Sequence, residues 1–268
     1  MQKFILLVGG CCLGLLSFGQ SDDSLMGYVE MKETRYAYSW GSTKTEVVIT
    51  QFGERKDIVM INLHDDETTS VEAAKIVLQQ TGGMLIRIDN SNKRLISFVK
   101  NGKTYNFDPN RMFTKPGIKA TLFRHSQRHS EEANKSVYKF GKFVLDKIPV
   151  KNKTLIALHN NDEGRLSINS YLPGGDYAKD VLYASKNRKQ DPDNFFLTTD
   201  KILHDRLKAE DYNTVLQENK KARDDGSLSI YYGRKNKSYV NTEAQIGQLE
   251  EQTEMIKVLV QAINNDKQ

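Results

Sequence analysis

Residues 58–67 have the sequence IVMINLHDDE, and this stretch decides the fold. Residues 58–63 carry five apolar side chains with no alternation of apolar and polar positions, which is typical of a central strand that is buried on both faces. His64 ends this run, and Glu67 follows three residues later. The stretch therefore predicts a buried strand that delivers an imidazole and a carboxylate to one end of a sheet.

The segments around this strand predict an α/β fold. Thr69 and Glu72 have the spacing of a capping box, and Gly82 with Gly83 supplies a stop, so a helix should follow the strand. Apolar runs and helical periodicities then alternate along the chain. We expect strands at residues 47–49, 84–88, 94–99, 154–158, 213–217 and 239–241, and helices at residues 131–148, 201–209 and 243–264. The predicted fold class is a single-domain α/β fold with a mixed, mostly parallel central sheet flanked by helices.

The amino-terminal segment has the pattern of an export signal. Lys3 precedes an apolar run at residues 4–18, and small residues end the segment. The run is shorter than the about 20 apolar residues that span a membrane. We therefore expect residues 1–19 to be a signal peptide, with no transmembrane segment after its cleavage and a periplasmic or secreted product. A lipoprotein signal ending at Cys11 is the weaker alternative, because too short an apolar run precedes that cysteine.

Cleavage would leave a chain without cysteine, since Cys11 and Cys12 both lie in the predicted signal. No disulfide could then contribute to stability. We expect residues 20–45 to form an amino-terminal lead-in segment or edge strand, and residues 46–268 to form the catalytic domain.

The charge of the chain gives no sign of a nucleic-acid partner. The 268 residues include 39 basic and 34 acidic residues, and the formal net charge is +5. A nucleic-acid-binding domain usually carries a stronger and more clustered positive charge.

Two histidines and one glutamate are the candidate metal ligands. His64 and His159 each follow an apolar run, and ligands of open α/β sheets bind beyond the carboxyl ends of the strands. With Glu67 they supply the three protein ligands of a catalytic zinc site, which leaves one position for water.

Further motifs follow these ligands in a fixed order. Residues 108–113 read DPNRMF, residues 158–160 read LHN, and residues 239–243 read YVNTE. With the HxxE element of His64 and Glu67, these segments resemble the zinc carboxypeptidases and their aspartoacylase and succinylglutamate desuccinylase relatives. The resemblance extends over residues 59–247.

The resemblance implies a role for each residue of these motifs. His64, Glu67 and His159 would bind Zn²⁺, and Asn110 with Arg111 would hold a carboxylate of the substrate. Glu243 would be the general base. Arg94 would help to polarise the scissile carbonyl, or would only flank a strand. A tyrosine would close over the substrate, and Tyr231, Tyr232 and Tyr239 remain open as candidates.

Some features depart from the carboxypeptidase pattern. Pro109 stands where these families usually have leucine, and the interval from HxxE to Asn-Arg is short. The LHN segment is closer to the aspartoacylase side, so carboxypeptidase specificity does not follow from the resemblance.

The other histidines are expected to have no role in the site. His125 and His129 have the i, i+4 spacing of a zinc-protease helix, but no glutamate follows His125 and two arginines flank the pair. His204 lies among charged residues, and we expect it to be exposed to solvent.

These observations favour an exported zinc hydrolase that cleaves an amide bond in a small peptide or an N-acyl amino acid, including peptides of the cell wall. An N-acetylmuramoyl-amide hydrolase is one alternative. A non-catalytic binding protein with the same fold is the other.

Overall fold

The computed structural model describes residues 29–41, 43–150 and 152–264. The predicted signal peptide, including Cys11 and Cys12, lies outside these residues. Within the described ranges, no helix combines the length and the apolar character that crossing a membrane requires.

Eleven strands and six α-helices form the described part of the chain. The strands are β1 (Met31–Ser39), β2 (Lys44–Phe52), β3 (Val59–Asn62), β4 (Gly83–Asp89), β5 (Ile96–Lys100), β6 (Lys103–Phe107), β7 (Thr154–Asn161), β8 (Val181–Ser185), β9 (Phe195–Thr198), β10 (Thr214–Gln217) and β11 (Ser238–Gln245). The helices are α1 (Thr68–Thr81), α2 (Lys115–Ser126), α3 (Glu131–Leu145), α4 (Lys201–Ala209), α5 (Leu228–Arg234) and α6 (Leu249–Asn264).

Nine of these strands form one sheet in the order β1-β2-β4-β3-β7-β11-β9-β10-β8, and β5 with β6 forms a separate hairpin. Parallel pairing joins β4, β3, β7 and β11 at the centre, and also β9 with β10. The other four pairings are antiparallel. The predicted mixed α/β fold is therefore confirmed, although parallel pairings make up half of the sheet rather than most of it.

Apolar side chains cover both faces of the sheet. Val59 and Ile61 of β3 pack into a core that contains α2, α3 and the aromatic side chains around Trp40. Met60 of the same strand packs on the opposite face, against α1, α4 and α6. All four residues of β3 are buried, so the prediction of a strand buried on both faces is confirmed.

Three predicted helix boundaries are wrong, and one of them is the end of α3, which lies at Leu145 rather than at residue 148. α1 begins at Thr68, and Glu67 precedes it without a capping hydrogen bond from its side chain. Thr69 lies inside the helix, and its hydroxyl instead accepts a hydrogen bond of 2.9 Å from the backbone N–H of Gly247. The last helix begins at Leu249 rather than at residue 243, because residues 238–245 pair with β7 and β9 as strand β11.

The sequence patterns missed several short elements. Strand β5 was expected at residues 94–99, but its partner β6 was not, and the two are joined by Asn101 and Gly102, which both have positive φ. Helix α2 was also missed, although Thr114 caps it and a proline occupies its first turn. In the lead-in segment, β1 is an edge strand of the main sheet, as one of the two interpretations of that segment predicted.

Candidate metal centre

Three neighbouring parallel strands bring the candidate site together. His64 lies two residues beyond β3, and His159 lies on β7, which pairs with β3 in parallel. Glu243 on β11 is the direct cross-strand partner of His159. Glu67 lies between β3 and α1, and its backbone N–H donates to the carbonyl oxygen of His64 over 3.1 Å. The two histidines are 95 positions apart in the sequence, and one parallel strand pairing brings them together.

His64, Glu67 and His159 surround a common point. Each offers one ligand atom, and these atoms all lie within 4.8 Å of one another. The Nδ1 atom of His64 is 2.9 Å from one carboxylate oxygen of Glu67, and the Nδ1 atom of His159 is 2.9 Å from the other. All three side chains are buried, with residue exposures of 2 to 4%.

The chemistry of these atoms fits a metal ion. The Nδ1 atom of His64 is buried and has no hydrogen-bond partner, although a carboxylate oxygen of Glu67 lies close to it. Buried nitrogen atoms without a partner are rare, because the loss of hydration is not compensated. A cation at the common point would contact both imidazoles and the carboxylate. This cluster could therefore bind a metal through the His₂Glu set of several zinc hydrolases.

The charges around the cluster reinforce one another. Burial alone would lower the pKa of His64, but the carboxylates of Glu67 and Asp108 outweigh it and raise this pKa to about 9. Burial would likewise raise the pKa of Glu67, but His64 and His159 hold it well below its usual range. The carboxylates of Glu67 and Asp108 thus favour positive charge at the two histidines, whether a proton or a metal ion supplies it.

Asp108 holds His64 from the other side of the ring. Its Oδ1 atom lies 2.7 Å from Nε2 of His64, and it also accepts a hydrogen bond of 2.8 Å from the backbone N–H of Asn110. Burial opposes ionisation of Asp108, but His64 lowers its pKa overall. Such a contact fixes which ring nitrogen of a metal-binding histidine faces the metal. Sequence analysis gave Asp108 no role, although it begins the DPNRMF segment.

Asn110 and Arg111 lie in a short 3₁₀ turn beside this cluster. The side-chain oxygen of Asn110 accepts a hydrogen bond of 3.0 Å from the backbone N–H of Leu228, and its amide nitrogen lies 3.5 Å from Nε2 of His159. Nη1 of Arg111 donates to the carbonyl oxygen of Asn110 over 2.8 Å and lies 3.5 Å from the carboxylate of Asp225. The Arg111 side chain is one-third exposed, so donors remain free for a ligand.

Glu243 is buried on β11, and burial raises the pKa of its carboxyl group. The amide nitrogen of Asn241, two residues earlier on the same strand, donates a hydrogen bond of 2.9 Å to Oε1 of Glu243. Residues i and i+2 of a strand point to the same face, which explains this contact. Sequence analysis did not identify Asn241, although its spacing from Glu243 on a strand was the available signal.

Arg94 contacts Glu67, one of the three candidate metal ligands. Its Nη1 atom donates to Oε1 of Glu67 over 2.6 Å, and the side chain is 46% exposed. Asp65, the neighbour of His64, places the loop that carries Arg94 by accepting hydrogen bonds from the backbone N–H groups of Asn90 and Asn92. Arg94 therefore lies at the edge of the site with part of its guanidinium already engaged.

None of the three tyrosines considered from the sequence lines the cavity that opens over His64, Glu67 and His159. Tyr231 and Tyr232 pack against each other, and Tyr231 also contacts Phe113. Tyr239 is buried and lines a smaller neighbouring cavity together with Tyr171 and Tyr177. The loop-rich stretch before β9 thus contributes two tyrosines that sequence analysis did not consider.

The remaining histidines lie apart from this cluster. Within the described residues, one group of at least three His, Cys, Asp or Glu side chains is placed to hold a metal, and it consists of His64, Glu67 and His159. His125 and His129 belong to no such group. The expectation that His204 is solvated is wrong, because it is only 4% exposed. It lies on the buried side of α4 beside Leu203 and Leu207, with Nδ1 3.1 Å from Asp205.

A cavity of about 460 Å³ opens over the cluster. Apart from the three tyrosines, its walls carry every residue for which the motifs implied a role in the site. These residues are His64, Glu67, Arg94, Asn110, Arg111, His159 and Glu243. A small molecule entering the cavity would meet two imidazoles, five carboxylates and three guanidinium groups, because Asp66, Asp108, Asp162 and Arg165 also line it.

Comparison with known proteins gives structural similarities only. No protein-family model and no curated protein sequence matches the chain. The chain is similar to an aspartoacylase family protein from Mesorhizobium loti, with 13% identity, a TM-score of 0.45 and coverage of 89% of this chain and 68% of that one. It is also similar to a succinylglutamate desuccinylase/aspartoacylase from Rhodobacter sphaeroides, with 13% identity, a TM-score of 0.45 and coverage of 90% and 67%.

A third similar structure is the LapA aminopeptidase of Legionella pneumophila, with 11% identity, a TM-score of 0.38 and coverage of 88% of this chain and 58% of that one. Structure neighbours thus include the aspartoacylase and desuccinylase relatives that the motifs resemble. At these identities and TM-scores, the activities named for those proteins are reported for those proteins alone and are not assigned to this chain.

Proposed function

We propose that the chain is a metal-dependent hydrolase that cleaves an amide bond in a carboxylate-bearing substrate. The observation that carries this proposal is the convergence of His64, Glu67 and His159 within 4.8 Å in one cavity with Glu243 and Arg111. A small peptide or an N-acyl amino acid is the substrate class. The predicted signal peptide would place the activity outside the cytoplasm, where peptides of the cell envelope are available.

Zinc is the metal we propose, with His64, Glu67 and His159 as its ligands. The set of two imidazoles and one carboxylate suits this ion and leaves a coordination position open. When bound, the metal supplies Lewis acidity, which polarises the scissile carbonyl and acidifies water. Asp108 supports this arrangement, because it holds Nε2 of His64 and leaves Nδ1 directed at the common point.

Glu243 is the proposed general base. Burial raises the pKa of its carboxyl group, so the carboxylate is a stronger base than an exposed glutamate. It would take one proton from the water whose oxygen attacks the carbonyl carbon. When the carbon–nitrogen bond breaks, it would pass that proton to the leaving nitrogen. The products are then a carboxylic acid and an amine, and Glu243 returns to its starting state.

Arg111 and Asn110 are the proposed carboxylate-binding residues. A guanidinium group forms two parallel hydrogen bonds to a carboxylate, which fixes the orientation as well as the position of the substrate. The side-chain oxygen of Asn110 is bound by the backbone of Leu228, so its amide nitrogen points toward the site. Together the two residues would hold the substrate beside Glu243.

Metal analysis and two matched variants test the proposal. The purified full chain should retain about one zinc ion, and zinc at about 1,000 times its dissociation constant should stabilise the folded state by about 4 kcal/mol. His159→Ala should lose this stabilisation, whereas His129→Ala, outside the site, should keep it. Equal zinc stabilisation of both variants in thermal unfolding would count against the ligand assignment.

Activity on N-acyl amino acids separates the base from the metal. Glu243→Gln should bind zinc as the unaltered protein does but hydrolyse no substrate. Arg111→Ala should weaken the hydrolysis of carboxylate-bearing substrates far more than that of their amidated analogues. Full activity of Glu243→Gln would refute the proposed role of Glu243, and an equal loss on both substrate types would refute the proposed role of Arg111.

A further inference from the structure

Helix α1 begins directly after Glu67 and receives its cap from another part of the chain. Glu67 occupies the N-cap position, but its side chain makes no capping hydrogen bond, and both of its carboxylate oxygens face His64 and His159 instead. The first backbone N–H groups of a helix have no partner within the helix. One of them, the N–H of Ser70, donates to the side-chain oxygen of Asn160 over 2.9 Å. Asn160 thus accepts the hydrogen bond that an N-cap side chain normally accepts.

Asn160 follows the candidate ligand His159 on β7, and its amide nitrogen connects two further elements. This nitrogen donates to the backbone carbonyl oxygen of Ala244 over 3.2 Å and to the side-chain oxygen of Gln252 over 2.7 Å. Ala244 follows the proposed base Glu243 on β11, and Gln252 lies on α6. One asparagine side chain therefore contacts α1, β11 and α6 at the same time.

Gln252 holds the same part of β7 through a second contact. Its amide nitrogen donates to the backbone carbonyl oxygen of His159 over 2.9 Å, while its side-chain oxygen accepts from Asn160. Gln252 is completely buried, and a buried amide is stable only when its hydrogen bonds are made. Both polar atoms of the Gln252 side chain are thus used to bind residues 159 and 160 to α6.

The backbone of Glu67 belongs to the same network. The hydroxyl group of Ser70 donates to the carbonyl oxygen of Glu67 over 2.8 Å. Thr69 accepts a hydrogen bond from the backbone of Gly247, which lies between β11 and α6. Farther from the site, apolar side chains of α1 and α6 pack in one core cluster. The start of α1 is therefore fixed against β7, β11 and α6 by buried or partly buried polar contacts.

We propose that Asn160 and Gln252 are positioning residues of the metal centre, which hold the His159 imidazole and the Glu67 carboxylate at the separation that a metal ion requires. These two ligands lie on different elements, so their separation depends on how β7 and α1 are placed. Asn160 joins the two elements through Ser70, and Gln252 fixes Asn160 from α6. The inference rests on the proposed function for the identity of the ligands. It adds that α6, which carries none of the three ligands, contributes to metal affinity.

Asn213 provides a matched comparison for Asn160. Its side-chain oxygen accepts from the backbone N–H of Asn187 over 2.8 Å, and its amide nitrogen donates to the carbonyl oxygens of Asp191 and Asn194 over 2.9 Å each. Asn213 is also buried, but it does not line the cavity over the candidate ligands. The two asparagines thus make the same set of hydrogen bonds, and only Asn160 makes them beside the ligands.

Zinc titration of the full chain, in competition with a chelator of known affinity, tests the proposal. Removal of a contact that orients metal ligands typically weakens metal binding 10- to 100-fold. Asn160→Ala should therefore raise the dissociation constant of zinc by about this factor, whereas Asn213→Ala should leave it unchanged. Urea unfolding of the metal-free variants should show a similar loss of stability in both, since each loses the hydrogen bonds of a buried amide. Circular dichroism checks that each variant is folded before titration.

Gln252→Met is the second variant, and it tests the proposal if Asn160→Ala does not fold. Methionine is about as long as glutamine and is apolar, so it removes the two hydrogen bonds of Gln252 and fills most of its volume. The dissociation constant of zinc should rise on the order of tenfold. Thr253→Val is the control at the next position of α6, because the Thr253 hydroxyl group donates to the carbonyl oxygen of Leu249 in the same helix. This control should bind zinc as the unaltered chain does.

The outcomes distinguish the positioning role from the proposed function. If Asn160→Ala and Gln252→Met bind zinc as tightly as Asn213→Ala, the positioning role is refuted, even if the unaltered chain hydrolyses its substrate. If both variants lose zinc affinity and the unaltered chain hydrolyses no amide, the positioning role is supported and the hydrolase function is refuted. An equal loss of zinc affinity in Asn213→Ala would also overturn the proposal, because the loss would then follow from lower stability.

Discussion

The loop that carries Arg111 is held by contact between two glycines. A Cβ atom on Gly226 would lie 2.6 Å from the carbonyl oxygen of Arg111 and 2.6 Å from the Cα atom of Gly117. Gly226 also has φ of +84°, and its carbonyl oxygen accepts a hydrogen bond of 3.1 Å from the backbone N–H of Phe113. We therefore expect Gly226→Ala to displace the Asn110–Arg111 turn.

The expected effect has two parts. A positive φ costs an alanine about 1 to 2 kcal/mol relative to glycine. The added Cβ atom is about 0.8 Å too close to the Arg111 carbonyl, since ordinary contact begins near 3.4 Å, and overpacking of this kind typically costs about 1 to 3 kcal/mol. The free energy of unfolding should therefore fall by about 2 to 5 kcal/mol. A shift of almost 1 Å in a residue that positions the substrate should lower kcat/KM on the order of 100-fold.

Gly102→Ala is the matched control for this prediction. Gly102 has φ of +69°, but a Cβ atom there would meet no atom within 4 Å. The free energy of unfolding of Gly102→Ala should fall by only about 1 to 2 kcal/mol, which is the cost of the positive φ, and its kcat/KM should not change. Urea unfolding followed by the fluorescence of Trp40, the single tryptophan, measures the stability of each variant. Equal stability and equal kcat/KM in the two variants would refute the argument from the glycine contact.

Two further substitutions test contacts at the edge of the site. Asn241→Ala removes the hydrogen bond that stabilises the charged form of Glu243, so the pKa of Glu243 should rise and the acid limb of the kcat/KM profile should move to higher pH; an unmoved limb would contradict this. Asp65→Ala leaves the backbone N–H groups of Asn90 and Asn92 without their acceptor and should cost about 1 to 3 kcal/mol. Amide exchange at these two positions should accelerate in Asp65→Ala but not in Asp162→Ala, whose side chain is exposed.

The sequence predicted the centre of the fold better than its edges. Strand β3 was recognisable because burial on both faces leaves a continuous apolar run, and the run at 154–158 gave β7 for the same reason. The strands from β8 to β10 lie beyond β11 and join the sheet through long-range pairing. Their order in the sheet depends on pairing between residues far apart in the chain, and no local sequence pattern encodes that pairing.

The extent of β11 shows how the environment overrides periodicity. Residues 243–248 can continue the amphipathic pattern of α6 toward the amino terminus, and the pattern alone predicted a helix from residue 243. In the structure, Glu243 and Gln245 pair with β7. Gly247 has φ of +90°, and this conformation separates the strand from the helix that begins at Leu249. Residues 243–245 pair with β7, and Glu243 also pairs with Phe195 of β9, so strand hydrogen bonds take the place of those of a longer helix.

The same limit applies to the partners of the candidate ligands. HxxE and a histidine at the end of a strand are short patterns with a direct chemical meaning, so His64, Glu67 and His159 could be selected from the sequence. Asp108 contacts His64 across 44 residues, and its function depends on a distance of 2.7 Å that no spacing rule encodes. A supporting contact of this kind becomes visible only when the turn of residues 109–111 and strand β3 have been placed together.

The sequence pointed to Arg94 itself but not to the contact that Arg94 makes. The family resemblance implied a role for Arg94 at the site, and Arg94 lies in the wall of the cavity. The resemblance did not imply that its Nη1 atom would donate to the same oxygen of Glu67 that faces His64. A guanidinium group has five N–H donors in a plane, so one bond to Glu67 leaves others for a substrate carbonyl. Because the side chain is nearly half exposed, those donors can reach the cavity. The pairing with Glu67 therefore orients Arg94 and is compatible with the role that the family resemblance implied.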